Sequence, residues 1–328
     1  MADARRTIAL VAACVLLALG AAPDCAAQGF PAKATRIVVP YPPGGSTDVV
    51  ARLLAQHLPE RWKVQVLVEN RQGANSIIGT DAVAKAAPDG HTLLMSTSAN
   101  ATNPSMYTRL PYDAVSDFTT VSLVSTSPNM IVAHPSLPAK DLRELARLAK
   151  AQPRSVTYGS AGHGSSQHLT MELIALNLGI SLNHVAYKGG GPATIDTVAG
   201  HIAMCVSTIA TFEAHVRSGR LKALAVTSAR RANSFPDVPT AAEQGMKNFE
   251  TLYWLGLMGP AGMPEPVVTR ISADVAAVLK LPEIQARLVQ LGIEPVGSTP
   301  QAFSSFYQDE LKSWSKVVRA AKLDKLEQ

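Results

Sequence analysis

The chain has 328 residues, a formal net charge of +5 and 17% charged residues. That length exceeds the roughly 100–200 residues typical of one domain, so two lobes are expected. No basic run or aromatic–basic stripe marks a nucleic-acid surface, and the mild positive charge indicates solubility rather than a nucleic-acid partner.

The first 27 residues have the order of a secretory signal peptide. Arg5 and Arg6 form a short positive segment, an apolar run covers Ile8–Ala22, and small residues end the segment at Ala27. This order predicts cleavage after Ala27 and a periplasmic protein. The apolar run is too short to be a good membrane span. Lipid attachment at Cys14 is the weaker alternative, because it would cut the apolar run in half.

Short strand-like runs then alternate with amphipathic segments, which is typical of an α/β protein with largely parallel sheets. The first runs predict strands at Arg36–Tyr41, Val64–Val68 and Thr92–Ser96, with a helix after the first strand and another around Ala82–Ala86. The stretch Asn100–Phe118 lacks periodicity and contains Pro104 and Pro111. It is therefore predicted to be a long surface loop.

A second set of elements begins near Thr120. Its predicted strands are Val121–Val124, Met130–Ala133, Val156–Gly159, Asn183–Tyr187, Met204–Ser207, Leu224–Thr227 and Thr251–Met258. Its predicted helices are Asp141–Ala151, Ser165–Leu178, Pro192–Ala199 and Thr211–Ser218, followed by Glu265–Leu279, Pro282–Leu291 and Pro300–Ala321. This order predicts a discontinuous first lobe, residues 28–123 plus 230–328, and a second lobe, residues 124–229.

The turn Pro42–Asp48 joins the first predicted strand to the first predicted helix. Its two glycines let the backbone approach a ligand, and the free N–H groups of the helix start attract an anion. The alternative is a plain turn in which Ser46 or Thr47 caps the helix. The turn is neither a dinucleotide fingerprint, because a third glycine is missing, nor a P-loop, because no lysine follows.

The segment Tyr158–His168 has the same design in the second lobe. Two such turns would face each other across a cleft at the carboxyl ends of the strands. An alternative is a secreted hydrolase that uses Ser165 or Ser160 as the nucleophile with His168. The nucleophile-elbow pattern is not met, since Tyr158 occupies the first glycine position. No histidine, cysteine or carboxylate set has metal-ligand spacing, so no metal site is predicted.

A third strand-to-helix turn, Tyr187–Pro192, contains Lys188, which is either an anion-attracting group or a solvated surface charge. Trp254 is either a cleft residue or a core residue. Cys205 is the one cysteine after the leader, so no internal disulfide is expected.

These stretches together resemble the Bug family, the extracytoplasmic solute receptors of tripartite tricarboxylate transporters. The matching residues are Tyr41–Asp48, Glu69–Arg71, Ala87–Gly90, Leu110–Asp113, Tyr158–Leu169, Val185–Gly189, Leu224–Thr227, Pro236–Thr240, Trp254–Gly256 and Pro295–Ser298. The resemblance spans nearly all of the chain after the leader. It implies a two-lobed periplasmic binding protein of the type II kind, with mixed sheets flanked by helices and a ligand cleft between the lobes.

The resemblance also implies a function and a site. The expected role is capture of a small carboxylate-bearing solute by hinge closure and its delivery to membrane permease subunits, by a monomer without cofactor or catalytic activity. A receptor that feeds a signalling sensor is the alternative. The ligand-binding residues implied at matching positions are Gly44, Gly45, Ser46, Asp48, Ala161, Gly162, Ser165, Ser166 and His168. Ser98 and Thr208 are added because they end other strands on the cleft side.

The chain departs from the family pattern at two places. Gly73–Gly79 replaces a more glycine-rich stretch, and Ala203–Val206 replaces a strand that commonly carries an aspartate and a phenylalanine. The second departure is expected beside the distal part of the ligand pocket, so the sequence leaves the identity of the solute open.

Overall fold

The computed structural model of the chain describes residues 29–327, so the predicted signal peptide lies outside the described residues. The strands are β1 (Thr35–Val39), β2 (Val66–Asn70), β3 (Thr92–Thr97), β4 (Phe118–Ala133), β5 (Thr157–Ser160), β6 (Asn183–Ala186), β7 (Met204–Thr208), β8 (Lys222–Val226), β9 (Leu252–Pro260) and β10 (Glu294–Pro295). The helices are α1 (Ser46–Trp62), α2 (Ile77–Ala84), α3 (Ser98–Met106), α4 (Leu142–Ala151), α5 (Ser166–Leu178), α6 (Gly190–Val198), α7 (Ile209–Arg217), α8 (Glu265–Leu279), α9 (Pro282–Gln290) and α10 (Pro300–Ala320). The predicted α/β class is confirmed.

The strands form one mixed sheet in the order β2-β1-β3-β9-β4-β7-β5-β6, with β8 and β10 also paired to β4. β1 is parallel to β2 and β3, whereas β9 runs antiparallel between β3 and β4. β5 is parallel to β6 and β7, and β7 is antiparallel to β4. We call β1, β2, β3, β9 and β10 with α1–α3 and α8–α10 the first half. The second half comprises β5–β8 with α4–α7, and β4 belongs to both.

The long strand β4 physically joins the two halves. The sequence predicted two short strands here, and the structure shows one. Residues 118–128 pair with β9, and Asn129–Ala133 pair with β7. Because the intervening residues stay extended and paired, the crossing between the halves is made by a strand rather than by a loop.

Each half has its own apolar cores. In the first half, α1 and α8 cover one face of β1 and β3, and α3 and α10 cover the other face. In the second half, α4 and α5 cover one face of β4 and β7, and α6 and α7 cover the other. The helix α5 reaches both halves, since Leu169 packs in a first-half core and Met171 in a second-half core.

The segment between β8 and β9 also bears on the division into lobes. Phe235, Met246 and Phe249 pack into second-half cores, although the predicted boundary assigns them to the first lobe. The predicted ranges, 28–123 plus 230–328 and 124–229, stay a prediction. The packing favours a second crossing closer to Thr251.

The predicted loop at Asn100–Phe118 is wrong at its beginning, where the helix α3 lies. Thr97 caps this helix, and the Asn100 side chain completes a capping box. Pro104 lacks the N–H that would bond to the carbonyl of Asn100. The Tyr307 hydroxyl lies 3.1 Å from that carbonyl and 3.1 Å from the Ala114 carbonyl, and it shares its proton between them. A side chain from α10 therefore compensates for the proline that the sequence pattern read as a helix breaker.

None of the helices within residues 29–327 combines the length and the apolar character that crossing a bilayer requires.

Candidate functional site

A cleft of about 990 Å³ lies between the two halves, among residues that follow β1, β2, β3, β5, β6 and β7. Eight of the eleven predicted ligand-binding residues line it: Gly45, Ser46, Ser98, Ala161, Gly162, Ser165, Ser166 and Thr208. Gly44, Asp48 and His168 lie outside this lining. The two predicted anion-accepting turns thus share one cleft.

Six helices begin at the wall of this cleft, three from each half. The lining residues that begin or cap α1, α2, α3, α5, α6 and α7 are Ser46, Ser76, Ser98, Ser166, Gly190 and Thr208. The first N–H groups of a helix lack partners within the helix, and the aligned peptide dipoles make that end electropositive. The convergence of helix starts therefore makes the cleft favourable to a negatively charged group.

The one charged side chain of the described lining reinforces this preference. Lys188 lies in the cleft wall, and no aspartate, glutamate or arginine does among the described residues. Most other polar groups of the wall are hydroxyls and backbone amides. The arrangement can hold an anion without a carboxylate to repel it.

Asp48 supports the first turn from behind. Its carboxylate accepts hydrogen bonds from Arg52 Nε at 2.8 Å, the Gly44 amide at 3.0 Å and Asn70 Nδ2 at 2.9 Å. Burial by itself raises the pKa of this carboxyl, but the hydrogen bonds from Arg52, Gly44 and Asn70 outweigh it and leave the pKa below its usual value. Asp48 is therefore an ionised scaffold of the turn rather than part of the cleft wall.

The start of α1 carries no side-chain cap. Gly45 is the N-cap residue and no side chain bonds to the first helical amides, so the alternative in which Ser46 or Thr47 caps the helix is wrong. The Thr47 hydroxyl instead lies 3.0 Å from the Tyr253 hydroxyl. The first amides of α1 therefore have no side-chain acceptor, and they belong to residues that line the cleft.

The segment Gly73–Ser76 lines the cleft where the chain departs from the family pattern. Ala74, Asn75 and Ser76 have φ values of 45°, 47° and 76°, a left-handed region that side chains with a Cβ rarely adopt. Asn103 holds them in place, because its Nδ2 donates to the Asn75 carbonyl at 2.9 Å and its Oδ1 accepts from Asn75 Nδ2 at 2.8 Å. A strained backbone thus forms part of the wall.

Two tyrosines of the cleft were missed by the sequence reasoning. Tyr41 and Tyr253 both line the cleft, and the Tyr41 hydroxyl lies 3.2 Å from Thr97 Oγ1. Burial raises the pKa of both phenols, so both stay protonated and able to donate. Tyr41 directly precedes the first turn in the sequence, and this position could have been used to predict it as a cleft residue. No sequence pattern near Tyr253 indicates that it lies in the cleft, because β9 comes beside β3 only through pairing in the sheet.

The second turn is held by hydroxyl and imidazole groups. Ser165 caps α5, since its Oγ accepts from the His168 amide at 3.2 Å and donates to the Gly162 carbonyl at 2.7 Å. His168 is buried, and its Nδ1 accepts the Gly164 amide at 3.2 Å. Ser166 receives a hydrogen bond from Ser98 Oγ at 3.0 Å, which links α5 of the second half to α3 of the first half.

His163, His168 and His184 form a group of rings at the second turn, which we call the histidine cluster. The rings of His168 and His184 stack at 4.0 Å, and His163 meets both at nearly right angles. Burial, with the neighbouring imidazoles, lowers the pKa of His168 to about 3 and that of His184 to about 4. Both rings are therefore neutral at pH 7. The sequence reasoning missed His184, which comes from a separate strand.

The hydrolase alternative finds little support in this geometry. Ser165 contacts the His168 backbone amide rather than its ring. Ser160 Oγ does lie 2.7 Å from His184 Nε2, but Ser160 is fully buried. A substrate would have no access to this serine.

Three further residues are placed by the structure. Lys188 lies in the cleft wall, whereas Trp254 is a core residue whose indole N–H donates to Glu310 at 2.8 Å. Cys205, within the second departure from the family pattern, is buried in a second-half core. The cleft is instead lined by Ser207 and Thr208 at the end of the same strand.

The sequence matches the model of a tripartite tricarboxylate transporter family receptor over residues 50–323. It is 37% identical to Protein BugT of Bordetella pertussis over 302 residues, which cover 92% of this chain and 93% of that protein.

The fold is similar to those of two solved structures. One is Rpa4515 of R. palustris with adipate, with a TM-score of 0.83, 32% identity and coverage of 90% of this chain and 100% of that one. The other is MatC (Rpa3494) from Rhodopseudomonas palustris with bound malate, with a TM-score of 0.79, 32% identity and coverage of 88% and 100%.

Proposed function

Because the chain belongs to the tripartite tricarboxylate transporter receptor family, as the sequence motifs predicted, we propose that it captures a small carboxylate-bearing solute in its cleft and delivers it to membrane permease subunits. The observation that carries the proposal is the convergence of six helix starts on a cleft whose described lining contains no carboxylate. Two structures of similar fold hold adipate and malate, which supports an organic acid as the solute.

The binding groups are amides and hydroxyls rather than a charged clamp. Gly45 and Ser46 supply them from the first half, and Gly162, Ser165 and Ser166 from the second. A hydrogen bond to a charged group contributes about 1.5–3 kcal/mol, so a few such bonds suffice for micromolar binding. Lys188 adds an attraction for a second negative charge. Gly44, Asp48 and His168 act by holding the two turns in shape.

Closure of the two halves on the solute accompanies binding. Each half supplies part of the wall, so neither half holds the solute well alone, and contacts from both favour the closed population. The paired strand β4 and the segment near Thr251 are the crossings about which the halves rotate. A solute that stabilises the protein without making it more compact in small-angle X-ray scattering would rule out this closure.

The receptor acts in the periplasm and catalyses no reaction. Export requires the signal peptide predicted at residues 1–27, which is outside the described part of the chain. Intact mass spectrometry of protein from the periplasm should give a chain that begins at Gln28. A retained Met1 or a lipid adduct on a cysteine of the leader would contradict this.

A thermal-shift series over mono-, di- and tricarboxylates, including adipate and malate, tests the solute class. A solute at a hundredfold excess over its Kd stabilises the folded state by about 2.7 kcal/mol, which should raise the melting temperature by several degrees. Ser166→Ala should weaken the same solute about tenfold to a hundredfold. If no carboxylate raises the melting temperature, or if Ser166→Ala binds as tightly as the wild type, the proposed site is wrong.

A further inference from the structure

The histidine cluster brings together side chains from three separate elements beside the cleft. His163 lies in the loop between β5 and α5, His168 in α5 and His184 on β6. One ring nitrogen of each lies within 4.8 Å of the other two. His163 is exposed and lines the cleft, whereas His168 is buried behind it.

The hydrogen bond that His168 accepts already fixes the neutral tautomer of its ring, and a neutral imidazole is the form that binds a metal. Its Nδ1 accepts the Gly164 amide, so this nitrogen carries no proton in a neutral ring. The proton is then on Nε2, 3.8 Å from a carboxylate oxygen of Glu172. Glu172 Oε1 is itself fixed by the Tyr158 hydroxyl at 2.6 Å. A histidine whose second nitrogen faces a carboxylate is the usual outer-shell arrangement of metal-binding imidazoles.

Binding requires a modest rearrangement of the cluster. Tetrahedral zinc with Zn–N bonds of about 2.0–2.1 Å places its nitrogen ligands about 3.4 Å apart. Nitrogens that lie up to 4.8 Å apart must therefore approach each other by up to about 1.4 Å. His168 and His184 are nearly parallel, at 15°, and one of them must turn to aim at the same point. His168 also gives up the Gly164 amide, and His184 gives up the Ser160 hydroxyl if it binds through Nε2. At most two hydrogen bonds are then lost against three metal–nitrogen bonds. The exposed His163 can move without disturbing a core.

We propose that the histidine cluster binds one divalent transition metal ion, with zinc as the first candidate. Three imidazole nitrogens suit zinc, nickel and copper, whereas magnesium and calcium require oxygen ligands that this cluster lacks. A tetrahedral ion held by three histidines keeps one position open. Water or an oxygen of a bound molecule would fill that position.

Isothermal titration of tag-free, chelator-treated protein with zinc chloride, in a buffer without carboxylates, tests the proposal. The expected result is one zinc ion per chain, with binding weakened at least about tenfold in His163→Ala and in His184→Ala. His163→Ala is the decisive variant, since His163 is exposed and its loss leaves the core intact. His201→Ala is the matched control, because His201 is an exposed second-half histidine beside Asp196, and it should bind zinc like the wild type.

X-ray absorption at the zinc edge gives an independent measurement. Three imidazole ligands at about 2.0–2.1 Å support the site, and fewer than three overturn it. An absence of zinc binding, or wild-type affinity in His163→Ala, also overturns it. Because the titration buffer contains no carboxylate, these outcomes do not depend on whether the proposed solute class is correct.

Discussion

The two glycine-containing turns of the cleft are proposed to do the same thing, namely to present backbone amides to an anion, but different groups hold them in place. In the first turn, an ionised carboxylate, Asp48, holds the Gly44 amide and is itself held by Arg52 and Asn70. In the second turn, the hydroxyls of Ser165 and Ser160 and the neutral imidazole of His168 hold the loop Gly162–Gly164. A backbone that binds an anion can thus be held by hydrogen bonds to a charged group or by hydrogen bonds to neutral groups. The two turns should therefore lose their structure under different conditions.

The largest effect is expected from removal of the charged support. Asp48→Ala leaves Arg52, Asn70 and the Gly44 amide without their shared acceptor, and loss of a buried, hydrogen-bonded charge should lower the free energy of unfolding by about 3 kcal/mol. Urea denaturation measures the loss. Glu213→Ala is the control, because it removes an i,i+4 pair with Arg217 of the same kind that is more exposed, worth less than about 0.5 kcal/mol. Equal losses in the two variants would show that Asp48 is not a scaffold.

The second-largest expected effect is a difference between the two turns in how their contribution to the free energy of unfolding depends on pH. The pKa of His168 is lowered to about 3 from a usual 6.5, so the unfolded chain takes up a proton below pH 6.5 that the folded chain does not. The free energy of unfolding should therefore fall as the pH drops from 6.5 towards 3, by up to about 1.4 kcal/mol per pH unit from this residue. The pKa of Asp48 is lowered from 3.8, so its stabilising contribution is lost only below about pH 4.

Urea denaturation at pH 7 and pH 5 measures this difference. His168→Gln keeps an acceptor for the Gly164 amide and should lose less stability between these two pH values than the wild type. His201→Gln, at an exposed site, should behave as the wild type does. A pH dependence unchanged in His168→Gln would place the acid sensitivity elsewhere.

The smallest effect tests the serine cap. Ser165→Ala and Thr299→Ala each remove the N-cap hydrogen bond of a helix, α5 and α10 respectively, and each should cost about 1 kcal/mol of unfolding free energy. Only Ser165 borders the cleft. Calorimetry should therefore show weaker solute binding in Ser165→Ala and unchanged binding in Thr299→Ala. Unchanged binding in both would restrict Ser165 to a structural role.

The elements that the sequence predicted well are those whose signals are local. Glycine and serine at strand-to-helix turns locate both turns of the cleft, because backbone access and a free helix start follow from neighbouring residues. The helix α3 was missed because its Pro104 is compensated by Tyr307, far along the chain. The continuity of β4 was missed because Ser125–Asn129 has the composition of a turn and is extended only through pairing with β9 and β7. Tyr253 and His184 join the site through the sheet, which no local pattern records.

The position of β9 between β3 and β4 has a consequence for the order in which the protein is made. The second-half cores draw on residues 130–249, a nearly continuous stretch, and can form as soon as that stretch has emerged. The first half needs β9 to join its sheet and Tyr307 to complete α3, so it must wait until almost the whole chain has been synthesised. The second half is therefore expected to fold before the first half closes.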